Sequence, residues 1–174
     1  MILLNLMRLV ISTAAVIIIL SIIVLLYDPA TVYADSPEET FSKYINAMRE
    51  HNPSPELDIY TKQTREMLSG WNVTTTQMDN IVKAYKGCYG AETKFNDSYT
   101  LAVIRYNLAQ KQCSPWFFKN ISGNWLLDLT MMQRAIRFGP GNAWHFVAGL
   151  QHEYEFGFAD WKFNNNGYPV TDMD

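Results

Sequence analysis

The chain has little cysteine, little histidine and no cluster of basic residues, and each shortage removes a class of function. Only two cysteines and three histidines occur in 174 residues. Two thiols without paired histidines nearby fall short of the four ligands of a structural zinc site. His152-Glu153 lacks the second histidine of an H-E-x-x-H helix, so His145, His152, Glu153 and Asp160, although close in sequence, are not expected to hold a metal. Lys and Arg number 14 against 17 Asp and Glu, for a net charge of −3. Without a basic run there is no electrostatic footprint for nucleic acid. No serine or cysteine nucleophile motif, glycine-rich phosphate loop or dinucleotide fingerprint is present, so no covalent catalyst and no cofactor are expected.

What the chain does have begins with one long apolar run. Leu9 to Leu26 is interrupted only by Ser12, Thr13 and Ser21, with Arg8 the single charge before it. Such a segment enters a membrane during export. Its length suits a spanning anchor, whereas Pro29 and the Val32-Tyr33-Ala34 sequence before Asp35 fit a cleaved signal peptide. Both fates leave Arg8 inside and the acidic flank of Asp28, Asp35, Glu38 and Glu39 outside. Residues 1–34 are therefore a signal peptide or N-terminal membrane anchor, and the domain that follows is expected to be extracytoplasmic, periplasmic or secreted.

Three helices are predicted next. Ser36-Pro37-Glu38-Glu39 is a capping box with proline at the first helical position, followed by Phe41, Tyr44, Ile45 and Met48 on one stripe. Ser54-Pro55-Glu56 restarts the same grammar, with Leu57, Tyr60, Thr64, Met67 and Leu68 running to Gly70. Thr76-x-x-Asp79 caps a third, whose stripe is Met78, Ile81, Val82 and Tyr85 before Gly87. Beyond it the period changes to two. Cys88 to Phe95, Tyr99 to Tyr106, Trp116 to Lys119 and Trp125 to Leu129 read as strands, the last two joined around Ser122-Gly123-Asn124. Alternation puts Trp125, Leu127, Leu129 and Met131 on a core face and Asp128 on the solvent side. Residues 133–138 extend that strand or form a short helix, and Tyr154, Phe156 and Phe158 alternate like a further strand ending near Phe163. The chain is thus expected to hold one α+β domain over residues 35–163, with N-terminal helices packed on an antiparallel β-sheet, and residues 164–174 as a C-terminal tail that turns out at Asn164-Asn165-Asn166-Gly167 and is loose after Pro169.

Paired short helices opening with Ser-Pro-Glu-Glu, a strand over 97–107 and a hairpin ending in Ser-Gly-Asn-Trp-Leu-Leu-Asp-Leu resemble the NTF2-like superfamily, in particular its small exported bacterial members. The resemblance implies a curved sheet wrapped around helices as a cone. That fold hosts isomerases, dehydratases and pure binding domains, so it assigns no chemistry by itself.

The functional candidates are few. Cys88 and Cys113 in an exported chain are expected to form a disulfide. Trp144, Phe156, Phe158 and Trp161 close the cone as core or line a groove for a ligand or partner. Asp128 with His145 would make an acid/base pair beside an apolar ligand. The balance favours a non-catalytic module that binds a small apolar molecule or an envelope protein, with no nucleic-acid partner and with membrane contact only through the N-terminal segment. The alternatives are a cofactor-independent isomerase or hydratase using a carboxylate and His145, and a structural or inhibitory partner of an envelope protein.

Overall fold

The computed structural model describes residues 35–170. The expected signal peptide or anchor lies outside the described residues, among which no helix is long and apolar enough to cross a membrane. The described part is an α+β fold. Helix α1 (Pro37–Arg49), α2 (Lys62–Ser69) and α3 (Thr75–Lys86) lead into strands β1 (Glu92–Phe95), β2 (Leu101–Arg105), β3 (Trp116–Ile121) and β4 (Asn124–Leu127). These four strands form an open antiparallel sheet in sequential order. Helix α4 (Leu129–Ala135), strands β5 (Ile136–Phe138) and β6 (Trp144–Phe146), a 3₁₀ turn at Glu155–Phe158, and strands β7 (Lys162–Phe163) and β8 (Pro169–Val170) complete it.

The first helix starts where its sequence says it should. Ser36 Oγ accepts from the Glu39 amide and the Ser36 amide donates back to Glu39 Oε2 at 2.8 Å, closing the capping box. The third helix is capped two residues early, by Thr74 with Gln77, because glutamine completes the reciprocal box that Thr76 and Asp79 do not make. The second departs further. No helix forms over 54–61; Thr61 is the cap, and the chain before it runs beside β4. Leu127 donates to Ile59 O at 2.7 Å, and Thr61 donates to Leu127 O at 3.0 Å. A free strand edge is thereby covered, and that demand outweighs the helical pattern.

The hairpin behaves as its turn residues dictate. Ile121 faces Asn124, and both Ser122 and Gly123 take positive φ, the two-residue turn whose twist matches paired strands.

Sheet side chains alternate into two separate clusters. Ala102, Ile104, Trp116, Phe118, Trp125 and Leu127 meet the three helices. Val103 and Phe117 face the opposite way, against Ala135, Ile136, Trp144, Tyr154 and Phe158. Both faces are dry, so the sheet is the middle of three layers. This corrects the expectation of a solvent-facing side, and it explains the fate of Asp128. Strand β4 ends at Leu127, and Asp128 caps α4 through Met131 N at 3.0 Å; it is buried rather than exposed on a strand.

The aromatic segment is also not a strand at first. Tyr154 and Phe158, four apart, are buried together on the 3₁₀ turn. The turn fits because Gly157 has no side chain: a Cβ there would lie 2.7 Å from Val103 Cγ2. Residues 164–170 carry on from this segment and pack back onto it. Gly167, at φ 80°, accepts from the Phe146 amide at 3.0 Å, and β8 pairs with β7. Both clusters, the disulfide and these hydrogen bonds lie within one compact unit, which has what a domain needs to fold alone.

Cys88 and Cys113 form the expected disulfide, with Cα atoms 5.9 Å apart. Neither lies on a strand: Cys88 follows α3, and Cys113 sits in the loop before β3. The bridge therefore ties the end of a helix to the loop that leads into β3 rather than one strand to another. For a separation of 25 residues, loop-closure entropy gives on the order of 3 kcal/mol. Replacing both cysteines by alanine should lower the urea-derived stability by about that amount, and alkylation of the oxidised protein should add no mass. Two labelled thiols without reductant would refute the bridge.

Candidate functional site

Two cavities bear on function, one between the helices and the sheet and one within the C-terminal layer. The helix-side cavity measures about 490 Å³. Its walls come from Tyr44 and Met48 of α1, Met67 and Leu68 of α2, Ile81 and Tyr85 of α3, Trp116 of β3 and Met132 of α4. These are the stripe residues of the three N-terminal helices, facing inward as their period requires. Trp116 forms the floor, with the rings of Phe41, Tyr44 and Tyr85 at centroid distances of 4.9, 5.1 and 4.9 Å.

Burial sets the electrostatics of this space. Desolvation pushes the Tyr60 hydroxyl up to about 12. It raises the Tyr44 and Tyr85 hydroxyls well above the usual phenol range, with neighbouring tyrosines adding to the effect. In Tyr85 the Ser114 side chain, 2.6 Å away, opposes the shift without cancelling it. The phenols thus stay neutral at any physiological pH.

The second cavity, about 730 Å³, lies within the C-terminal layer. Phe156, Phe158 and Trp161 of the sequence-derived groove line it, beside His152, Glu155 and Asn164. Trp144 packs behind them on Phe146 and Phe158, at 5.3 and 6.1 Å between ring centroids. The aromatic set is thus divided, with Trp144 and Phe158 in the core and Phe156 and Trp161 half-buried at the cavity.

The acid/base candidates are placed apart in their bonding. Asp128 Oδ2 accepts from the Tyr154 hydroxyl at 3.0 Å and lies 3.4 Å from Lys119 Nζ, which also pairs with Glu153 at 2.7 Å. Proximity to this carboxylate and burial together raise the Tyr154 hydroxyl far above its ordinary range, burial being the larger cause. His145 Nδ1 donates to Phe146 O at 3.0 Å, and its ring packs at a tilt against Tyr168, with centroids 4.4 Å apart. Neither Asp128 nor His145 lines either cavity. The geometry gives Asp128 work as a helix cap and interlayer clasp.

Other charges of the C-terminal segment are also engaged. Arg105, buried on β2, donates to Glu92 Oε2 and to Asp160 Oδ2, each at 2.7 Å, and to Gly157 O at 2.8 Å, while its guanidinium lies 4.8 Å over Trp161. That guanidinium holds the Asp160 carboxyl down to about 2. Among the described residues no group of three or more His, Cys, Asp or Glu could hold a metal ion.

Comparison with protein-family models, with curated proteins and with solved structures finds no match to this chain. The reading of the site therefore rests on its own chemistry. The helix-side cavity has the apolar walls and enclosing layers of a small-molecule site, and it is the stronger candidate. Sequence periodicity had found its wall residues, but as packing stripes. Nothing in the pattern marks that the stripes stand off from the sheet.

The C-terminal cavity carries a pH signature. His152 Nδ1 accepts from the Tyr154 amide at 3.3 Å, and its ring packs on Phe117 and Phe146. Burial lowers its pKa, opposed by Glu155 and Glu153. A folded-state value below the unfolded one, about 6.5, means the unfolded chain takes up the proton first as pH falls. Stability is then complete above that value and declines below it. Urea midpoints should drop between pH 7.5 and 5, and His152→Asn, which keeps an acceptor for the Tyr154 amide, should flatten the decline. An unchanged pH slope in the variant would count against His152 as its source.

Proposed function

We propose that this protein is an extracytoplasmic, non-catalytic binding module that holds a small apolar molecule between its helices and its sheet. The observation that carries the reading is the 490 Å³ cavity walled by tyrosine, tryptophan and methionine. Its size falls within the range of about 300–1,000 Å³ of small-molecule sites. Helices on one face of an antiparallel sheet, with an apolar space between the layers, also support the likeness to the NTF2-like superfamily. The placement of Asp128 and His145 away from the cavities supports binding over proton transfer.

Location outside the cytoplasm is supported by two independent features. The run from Leu9 to Leu26 has the composition of an export signal or anchor. The Cys88–Cys113 bridge belongs to oxidising compartments. Alkaline phosphatase fused after Asp174 should be active in the host, and an inactive fusion would refute export.

The binding reading is tested by filling the space. Met132→Trp adds an indole to the cavity wall and should weaken uptake of an apolar probe such as 1-dodecanol at least tenfold, while the unit still unfolds cooperatively. Native mass spectrometry of protein purified from its own host should show an apolar adduct on the wild type that the variant lacks. A wild type that carries no adduct and takes up no probe would overturn the proposal.

A further inference from the structure

Arg137 is the one charged side chain among those lining the helix-side cavity. It is exposed, as are Trp71 and Phe138, which line the same space and so mark its mouth. Both hydrogen bonds of the guanidinium leave from Nη1, to Gln133 O at 2.6 Å and Ile136 O at 2.8 Å. Among the described residues no carboxylate pairs with it, and Nε and Nη2 find no acceptor. The backbone carbonyls thus fix one corner of the planar fork and leave its remaining donors for an outside anion. The rest of the wall offers a ligand no charge, since its phenols stay neutral.

We propose that the ligand is a single-chain anionic amphiphile, with its alkyl chain along the cavity and its anionic head on Arg137. This rests on the binding reading above and adds the class of ligand. A cation at the mouth of an uncharged space discriminates by charge: an alkyl amine is repelled, a neutral chain gains burial alone, and an alkyl anion gains burial plus a charge-assisted hydrogen bond. The head can be a carboxylate or a phosphate monoester, which share that chemistry.

Isothermal titration of the folded unit from residue 35 onward, below micelle formation, compares dodecanoate, dodecyl phosphate, 1-dodecanol and dodecylamine. At least one anionic probe should bind about tenfold tighter than the alcohol, with the preference shrinking in high salt. Whichever anion binds tighter identifies the head. Arg137→Gln should remove the preference and Arg137→Lys should restore part of it. If Arg137→Gln does not fold, Gln133→Glu, which sets a competing carboxylate at the mouth, should reduce anion binding by a similar factor. Equal affinity for anions and alcohol in the wild type, or a preference that survives both Arg137→Gln and Gln133→Glu, would overturn the anionic head and leave apolar binding standing. Failure of all four probes to bind would overturn both readings.

Discussion

A central strand pair with apolar side chains on both faces has to be covered twice, and the rest of the fold follows from that demand. Ile104 and Phe118 point one way, Val103 and Phe117 the other, and none is more than 2% exposed. Leaving such a side chain in water forgoes about 1.5–3 kcal/mol each, more than a domain of ordinary stability can lose several times over. Antiparallel sheets commonly keep one face wet. Here the helices α1 to α3 cover one face, and the aromatic C-terminal segment, poor in regular structure, covers the other.

Rings alone would let that irregular layer slide, because apolar contact is non-directional. Two polar clasps fix it. On β2, Arg105 reaches across to Asp160 and to the Gly157 carbonyl, with Trp161 lying over the guanidinium. At the other end Asp128 takes the Tyr154 hydroxyl while Lys119 holds Glu153. The buried member of each clasp is costly to leave unpaired. The exposed carboxylates Asp160 and Glu153 add little as surface ions, but they complete the partners of groups that have left water. Tyr154 stacks on Phe117 with ring centroids 4.3 Å apart, which places the hydroxyl against Asp128.

Local rules made much of this legible in advance. The Ser36 box, the Ser122-Gly123 turn and the strands β2 to β4 are short-range statements, and they hold because no distant partner opposes them. The errors share a different cause. The segment before Thr61 carries a helical stripe, yet it is spent on the open edge of β4, a need that exists only once the sheet is assembled. Tyr154, Phe156 and Phe158 fit a period of two; Tyr154 and Phe158 also fit a spacing of four, and the contact of Gly157 with Val103 decides between them. Alternation alone puts Asp128 on the wet side of a strand, because nothing in the hairpin itself announces a second covering layer. The candidate site suffered likewise. Its wall residues were visible as stripes, whereas the space between them depends on how far apart the layers are held.

That spacing has a physical source at the borders of the cavity. Interiors pack to the density of organic crystals, so an apolar space of 490 Å³ between two layers should tend to close. Closing it would require the helices to move onto the sheet, and each helix is tied at a point beside the cavity. Thr40 of α1 donates to Trp125 O at 2.7 Å, and Thr64 of α2 donates to Leu127 O at 3.2 Å, both fixing a helix to β4. The end of α3 is bound covalently through Cys88 to Cys113, and its Tyr85 hydroxyl donates to Ser114 O at 3.2 Å. At the edge of β4 the Trp125 carbonyl has Thr40 as its partner, and Leu127 O takes Thr64 in addition to the Thr61 amide. For α1 and α2 the groups that meet the sheet edge are the same ones that hold the helix at its distance, whereas α3 is held through the loop before β3. The open space costs packing energy, and it persists because the hydrogen bonds and the disulfide at its borders would have to break before the walls could meet.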